Sequence, residues 1–245
     1  MKKILLVLVI FALSLTQVKA DSLDEIGDDV FTKKVLEIIM KYPDVIQASM
    51  TNYQNKLRKE KEEAEFRSAL ENRIEVEYGK SPTAGNKKAK YHLVVFTDFQ
   101  CPYCKRGDAN IREMKQMLGD DLYVVYKNYP LAFHKQAKPA ALHALAAHKQ
   151  GKFEEYAQAL FDSTKEFKES TYIEIAESLQ LNVEKFKKDA ASKETEALLQ
   201  EDLDLAKIIG VQSTPSFFLN GVKVSGAYPV SHFEKIMTAL DSEEK

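Results

Sequence analysis

Cysteine is scarce in this sequence: two occur among 245 residues, at positions 101 and 104. Such scarcity excludes a small domain held together by several disulfides. Tryptophan is absent, and neither sign of charge dominates, with 35 Lys and Arg against 37 Asp and Glu. The balance excludes the strongly basic proteins that bind nucleic acid through charge, so we expect no nucleic-acid partner. Beyond residue 20, no run is apolar enough to cross a membrane.

The first twenty residues have the pattern of a secretory signal peptide. Lys2 and Lys3 form a basic start, residues 4–15 are an apolar run, and residues 18–20 offer small side chains for cleavage after about Ala20. The run is shorter than the roughly 20 apolar residues that span a bilayer, although an uncleaved anchor is the alternative. The sequence therefore predicts export, to a setting where no glutathione pool keeps thiols reduced.

Residues 21–80 predict an N-terminal helical arm. An amphipathic stripe is broken at Pro43, because proline disfavours helix in the residue before it, and a thin heptad seam then continues to Ala64. Residues 56–65 are nearly all charged. Such helices have too little apolar surface to fold alone, so they need a partner. A solvated charged arm and a homo-oligomerisation stalk both remain open.

Residues 81–245 predict an α/β domain. After a linker by composition at residues 79–90, residues 91–97 read as a buried strand, Cys101 opens a helix to about Leu118, and residues 122–126 form a second strand. This spacing indicates a βαβ unit with a parallel pair. A helical insertion at about 134–209 follows. A strand then starts at Pro215, Asn220-Gly221 predicts a hairpin, and residues 230–240 form a terminal helix.

The two cysteines form a Cys-Pro-Tyr-Cys motif, with Pro102 and Tyr103 between them. A disulfide across so small a loop stabilises little, which favours a bond that opens and closes. At a helix start, the Cys101 sulfur faces unpaired N–H groups and the positive end of the helix dipole, and both favour the nucleophilic thiolate. Pro102 fits the first helical position. We expect Cys101 to be the exposed, attacking sulfur and Cys104 the buried, resolving one.

Other interpretations of the motif have less support. Half of a zinc site has the same spacing, but zinc requires two more ligands, and the five histidines form no pair with three residues between them. A structural disulfide is the second alternative. Thiol-disulfide exchange requires neither a metal nor a cofactor, and we expect none.

Two segments together resemble a known family. The segments are Phe-Thr-Asp-Phe-Gln-Cys-Pro-Tyr-Cys and Gly-Val-Gln-Ser-Thr-Pro-Ser-Phe-Phe-Leu-Asn-Gly, separated by the helical insertion. They resemble the DsbA-type thiol-disulfide oxidoreductases of the bacterial envelope, over about residues 82–241. The resemblance implies a thioredoxin-like fold and a periplasmic location. It also implies a cis bond between Thr214 and Pro215, beside Cys101, where an extended substrate chain pairs by strand addition.

The resemblance implies partners of two kinds. These are unfolded or partly folded exported proteins with thiols or disulfides, and a membrane redox partner that recycles the pair. Dithiol oxidation is the leading expectation. Pro-Tyr between the cysteines, where well-known oxidases often carry Pro-His, and Val95, where some members carry a buried acid, leave the redox strength open. The alternatives are an oligomeric isomerase or reductase, an envelope chaperone or binding protein, and a glutaredoxin, which the export signal opposes.

Four further residues have two interpretations each. Asp98 could tune the cysteine pKa or cap a turn, and His134 could lie at the domain junction or begin a helix. Phe99 and Tyr103 could form an apolar rim for unfolded substrates or pack against the insertion.

Overall fold

The computed structural model describes residues 28–243, so the predicted signal peptide lies outside the described residues. The chain divides into two compact units, one ending at Glu62 and one beginning at Glu63. We call the described parts the helical unit (residues 28–62) and the sheet unit (residues 63–243). No helix in this described part of the chain is long and apolar enough to cross a membrane.

The helical unit consists of α1 (Asp28–Lys41) and the first part of α2 (Pro43–Glu71). The predicted break at Pro43 is confirmed, and Asp44 lies in the first turn of α2. The apolar side chains of this unit are exposed, among them Val30, Leu36, Ile38, Ile46, Met50 and Leu57. Its charged segment carries i,i+4 ion pairs such as Lys56–Glu60, and no residue of α2 is buried.

The sheet unit is built on five strands, in the order β1-β3-β2-β4-β5. They are β1 (Thr83–Gly85), β2 (Tyr91–Thr97), β3 (Leu122–Asn128), β4 (Ser216–Leu219) and β5 (Val222–Ser225). The β2 and β3 strands pair in parallel, which confirms the βαβ unit, and the other neighbours are antiparallel. The expected linker is wrong at residues 83–85, because the backbone of this Gly-containing segment pairs with the edge of β3.

Seven further helices complete the sheet unit. They are α3 (Pro102–Leu118), α4 (Ala137–His148), α5 (Phe153–Asp162), α6 (Glu169–Ser178), α7 (Val183–Ala190), α8 (Lys193–Ile208) and α9 (Val230–Glu243). The helices α4 to α8 lie between β3 and β4 in the chain, which confirms the helical insertion. Side chains cap two of them: Asn182 accepts the N–H of Lys185, and Ser192 accepts that of Thr195.

The central strand β2 is buried on both faces. Leu93 and Val95 belong to the larger core, which includes residues of α3, α9 and the insertion, and Val94 and Phe96 belong to a smaller core on the other face. A strand buried on both sides reads as a continuous apolar run, as residues 93–96 do. Packing from both sides holds the carboxyl end of β2 in place, and the cysteine motif starts there.

A two-residue turn joins β4 to β5, as predicted. Asn220 and Gly221 have φ of 45° and 86°, the left-handed conformations that such a hairpin turn requires. The Asn220 side chain accepts the N–H of His92 at 2.6 Å and donates to the carbonyl of Lys90 at 3.1 Å. The turn therefore ties the hairpin to the start of β2 and fixes the position of β4.

A buried ion pair ties the insertion to β3. Lys127 Nζ lies 3.2 Å from Asp202 Oδ1, and Asp202 Oδ2 accepts the N–H of Asn128 at 2.8 Å. Ser81 donates to the same carboxylate at 2.8 Å. Burial raises the pKa of Asp202, although Lys127 opposes this shift. Because a buried charge needs such partners, α8 is held against the carboxyl end of β3.

Candidate active site

The cysteine motif lies where the sheet passes into α3. Cys101 is the N-cap residue, with extended backbone (φ −81°, ψ 121°), and Pro102 occupies the first turn. The N–H groups of Cys104 and Lys105 both point back to the Cys101 carbonyl. The expected position of Cys101 at the start of a helix is therefore confirmed, and its sulfur faces the unpaired N–H groups of the first turn.

Cys101 is not the exposed sulfur that the sequence led us to expect, because only 6% of the residue is accessible. The carbonyl oxygen of Thr214 lies 3.4 Å from its sulfur and covers it. The pKa of Cys101 is lowered to about 5, chiefly by the hydrogen bond from the Cys104 thiol and also by backbone N–H groups of the first turn. At neutral pH, Cys101 is therefore a thiolate.

Cys104 is the more deeply buried sulfur, with 1% of the residue accessible. The backbone N–H of Asp98 donates to its sulfur at 3.3 Å. Burial raises the pKa of this thiol, and the neighbouring Cys101 raises it further. The two sulfurs, one turn apart on α3, therefore differ in protonation. One is the anion and the other carries the proton.

Asp98 ties the cysteine loop to the segment that enters the insertion. Its side chain is fully buried, and Oδ1 accepts the N–H of Gln100 at 2.8 Å, which is the turn-capping role. Its Oδ2 accepts the N–H of Leu131 at 2.8 Å and lies 2.8 Å from Nδ1 of His134. His134 also accepts the N–H of Ala137 through its carbonyl, but α4 has Gln136 as its N-cap, so the interpretation of His134 as the start of a helix is wrong and it lies in the preceding turn.

The loop before β4 lies against the cysteines. The peptide bond between Thr214 and Pro215 is cis, as the family resemblance implied. The Pro215 carbonyl accepts the N–H of Gly226 at 2.9 Å. Thr214 is buried, and its hydroxyl oxygen has no hydrogen-bond partner within residues 28–243. A Cβ at Gly107 of α3 would lie 3.2 Å from the Pro215 ring, so glycine permits this approach.

The aromatic side chains around the motif are divided between packing and exposure. Phe99 is 5% accessible and packs against Phe161 of the insertion, with ring centroids 5.0 Å apart, so it does not form a rim. Tyr103 is 59% accessible, and the Arg106 guanidinium lies over its ring. Phe133, which is 74% accessible, stacks its ring edge-on against His134. Sequence reasoning did not single out Phe133; its place beside His134 was the available signal.

Comparison with known proteins agrees with this geometry. Residues 77–239 match the family profile described as thioredoxin. A thioredoxin-like oxidoreductase from Silicibacter pomeroyi is 27% identical, with a TM-score of 0.62 over 67% of this chain and 94% of that one. The thiol-disulfide exchange protein α-DsbA2 from Wolbachia pipientis is 18% identical, with a TM-score of 0.61 over 72% and 92%, and it shows likeness of fold.

A second similarity concerns part of a much longer protein. The Na(+)/H(+) antiporter NhaA 1 of Mycolicibacterium vanbaalenii is 30% identical over 167 residues. The match covers 67% of this chain and 27% of that protein, so the chain spans about a quarter of the length of the curated relatives it matches.

Proposed function

The chain belongs to the thioredoxin family, with the fold of its DsbA-type members, and from that premise we propose that it is an exported, periplasmic enzyme that oxidises dithiols in other exported proteins. Its activity in general terms is that of a thiol-disulfide oxidoreductase. One observation carries the proposal: Cys101 is the N-cap residue of α3, where the Cys104 thiol and the first-turn N–H groups lower its pKa, and Cys104 lies buried one turn away, which raises its pKa.

The exchange follows from this difference in protonation. In the oxidised enzyme, a substrate thiolate attacks the Cys101 sulfur, the bond between Cys101 and Cys104 breaks, and Cys104 leaves with the electron pair and takes up a proton. The second substrate thiol then loses its proton and attacks the substrate sulfur of the mixed disulfide. A substrate disulfide forms, and Cys101 leaves as a thiolate. A leaving group with a pKa of about 5 makes the second step fast and favours oxidation.

Substrate recognition through the backbone is supported by the loop beside Cys101. The Thr214 carbonyl lies 3.4 Å from the Cys101 sulfur, at the start of a strand. We propose that an extended substrate segment pairs with the backbone at Thr214 and Pro215, a mode that tolerates many sequences. The exposed ring of Tyr103 offers apolar contact to unfolded chains. A membrane-bound redox partner would reoxidise the pair after each turnover.

A second candidate function is favoured by the helical unit. Its exposed apolar side chains, such as Leu36, Ile38 and Leu57, require cover, and a second copy of the chain supplies the same surface. An oligomer would present several cysteine pairs to one misfolded client, which suits a disulfide isomerase or reductase. A third candidate, a chaperone that binds unfolded chains without turnover, uses only the exposed aromatic surface.

The following measurements test the proposal and separate these candidates. The oxidised protein should convert one dithiol to a disulfide per cysteine pair, and Cys101→Ser should abolish this reaction. Alkylation of the reduced protein should follow a titration with a midpoint near pH 5 rather than 9. Inertness toward small dithiols and disulfides at neutral pH contradicts the oxidoreductase proposal. An oligomeric mass together with repair of scrambled disulfides favours the isomerase. If the double variant Cys101→Ala/Cys104→Ala still binds unfolded chains as wild type does, that result favours the chaperone.

A further inference from the structure

A small cavity lies beside the buried Cys104. It has a volume of about 10 Å³ and is lined by Cys104 and Asp108 of α3, by Val95 of β2, and by aromatic side chains that include Phe161 of α5. This volume is on the scale of a single water position, about 10–15 Å³. Cys104 and Asp108 therefore line one shared space between the active helix and the insertion.

Asp108 lies one helical turn beyond Cys104. Residues four apart on a helix have Cβ atoms about 5–6 Å apart on the same face, a separation that one water molecule bridges. The Asp108 side chain is 11% accessible. Its Oδ2 is buried and accepts no hydrogen bond from any residue within 28–243. A buried carboxylate oxygen without a hydrogen-bond donor costs free energy, and protonation of the carboxyl group reduces that cost.

The charges around Asp108 are mixed in sign. On α3 itself, Arg112 Nη2 lies 3.5 Å from Oδ2, and Lys115 is near. From α5, Glu154 and Asp162 oppose ionisation of the carboxyl group. From β3, the phenol of Tyr126 donates to Glu154 at 2.7 Å. Burial is the largest effect, and it raises the pKa of Asp108 to about 6, close to the pH at which a proton acceptor works best.

Other acids near Cys104 are less suitable. The β2 side chain that lines the cavity is that of Val95, which carries no proton. Asp98 is close, and its N–H donates to the Cys104 sulfur, but both of its oxygens are engaged by Gln100, Leu131 and His134. Within the described chain, Asp108 is the carboxylate that both lines the cavity and keeps an oxygen without a hydrogen bond, since Arg112 lies 3.5 Å from that oxygen as an ion-pair partner only.

We propose that Asp108 exchanges a proton with Cys104 through the shared cavity whenever the cysteine pair closes or opens. The inference rests on the proposed thiol-disulfide exchange. In a mixed disulfide, Cys101 is bonded to the partner and no longer accepts the Cys104 proton. The carboxylate of Asp108 takes that proton while Cys104 attacks the Cys101 sulfur. The pair is oxidised to a disulfide, and the partner sulfur leaves as a reduced thiolate with the bonding electrons.

The reverse direction uses the same groups. When a substrate thiolate attacks the Cys101–Cys104 disulfide at Cys101, Cys104 leaves as a thiolate and receives the proton of the Asp108 carboxyl group. Asp108 thus acts through Cys104 and does not touch the substrate. Removal of its charge should leave the attack by Cys101 unchanged and should slow only the step in which Cys104 gains or loses its proton.

The test uses glutathione disulfide as the probe and the reduced full-length protein. Acid quench and intact-mass measurement follow two steps: formation of the Cys101–glutathione mixed disulfide, and its resolution by Cys104. In Asp108→Asn we expect the first step within about twofold of wild type. We expect the second step to be at least about tenfold slower at pH 7, a lower bound set below the ~10²–10⁴ typical of general acid–base catalysis. Its inflection near pH 6 should be lost. Asp108→Glu should restore part of the rate.

Glu113→Gln is the matched control. Glu113 is another acid of α3, but it is exposed and does not line the cavity. This variant should resolve the mixed disulfide at the wild-type rate. An unchanged rate of the second step in Asp108→Asn overturns the proposal. Equal slowing of both steps with the pH profile intact also overturns it, because equal slowing indicates a purely structural role for Asp108. Failure of wild type to react at the first step would instead contradict the proposed exchange itself.

Discussion

The helical unit and the sheet unit use their apolar residues in opposite ways. In the sheet unit, side chains such as Phe96, Phe217 and Phe233 are fully buried, and two cores enclose the sheet from both faces. In the helical unit, Phe31, Ile38 and Leu57 are each more than 40% accessible. The sheet unit has the close packing that holds a reactive site in a fixed geometry. The helical unit instead presents an exposed apolar surface.

This difference predicts where a single substitution is felt. Around the cysteines, both carboxylate oxygens of Asp98 have defined partners, and we expect a change of one atom there to alter pKa values or backbone position. Along the helical unit (residues 28–62), where the apolar side chains are exposed, we expect a change to alter only what the surface can bind. The substitutions below test this contrast, beginning with the one expected to have the largest effect.

Replacement of the attacking sulfur should have the largest effect. Cys101→Ser removes the thiolate, and dithiol oxidation should fall by roughly 10³-fold or more, as when the nucleophile of other enzymes is removed. A stopped assay with a small dithiol measures this loss. Leu57→Ser in the helical unit is the control and should keep the full rate. Comparable loss in both variants would contradict the assignment of chemistry to the sheet unit alone.

Asp108→Asn should stabilise the reduced protein in a pH-dependent way. A pKa raised from 3.8 to about 6 means that folding favours the protonated carboxyl, so this contribution to stability is complete below pH 3.8 and is lost as the pH rises through 6. The variant avoids that loss and should gain about 1–3 kcal/mol in free energy of unfolding at pH 8 and nothing at pH 3.5. Urea unfolding at the two pH values measures it. A difference independent of pH would contradict the burial of this charge.

Gly107→Ala tests the contact between α3 and the cis-proline loop. Helix propensity favours alanine by about 1 kcal/mol, but the new Cβ would lie 3.0 Å from Phe217 Cζ and 3.2 Å from Pro215 Cγ. We expect packing to prevail, with a net loss of about 1–2 kcal/mol and slower exchange. Urea unfolding and the dithiol assay measure both effects. Gln116→Ala, at an exposed position of the same helix, is the control and should change stability by less than about 0.5 kcal/mol. A Gly107→Ala variant that is more stable than wild type would show that the cis-proline loop shifts to admit the new Cβ.

The sequence predicted the elements of the sheet unit well because the local signals agreed with one another. The sequence signals were an apolar run for β2, a proline for the start of α3 at Pro102, and the Asn-Gly pair for the turn at Asn220 and Gly221. These signals are local, and they do not depend on which residues meet across the fold.

The features that the sequence did not predict depend on contacts between distant residues. The pairing of β1 uses backbone atoms of a segment whose composition indicates a linker. The burial of Cys101 comes from the Thr214 carbonyl, 113 residues away. Asp108 reads as an ordinary polar position of α3 until α5 packs over it and closes the cavity. Composition and periodicity carry no information about such contacts.

Substitution in the helical unit should have the smallest effect on folding and the clearest effect on assembly. Leu57 is 46% accessible, so Leu57→Ser should change the free energy of unfolding of the sheet unit by less than about 0.5 kcal/mol. If α1 and α2 join copies of the chain, the same change removes apolar contact from each copy and lowers the molar mass measured by light scattering, while Gln54→Ser on the same helix leaves it unchanged. A clear loss of sheet-unit stability would instead show that Leu57 packs within its own chain, and the contrast between the two units would fail.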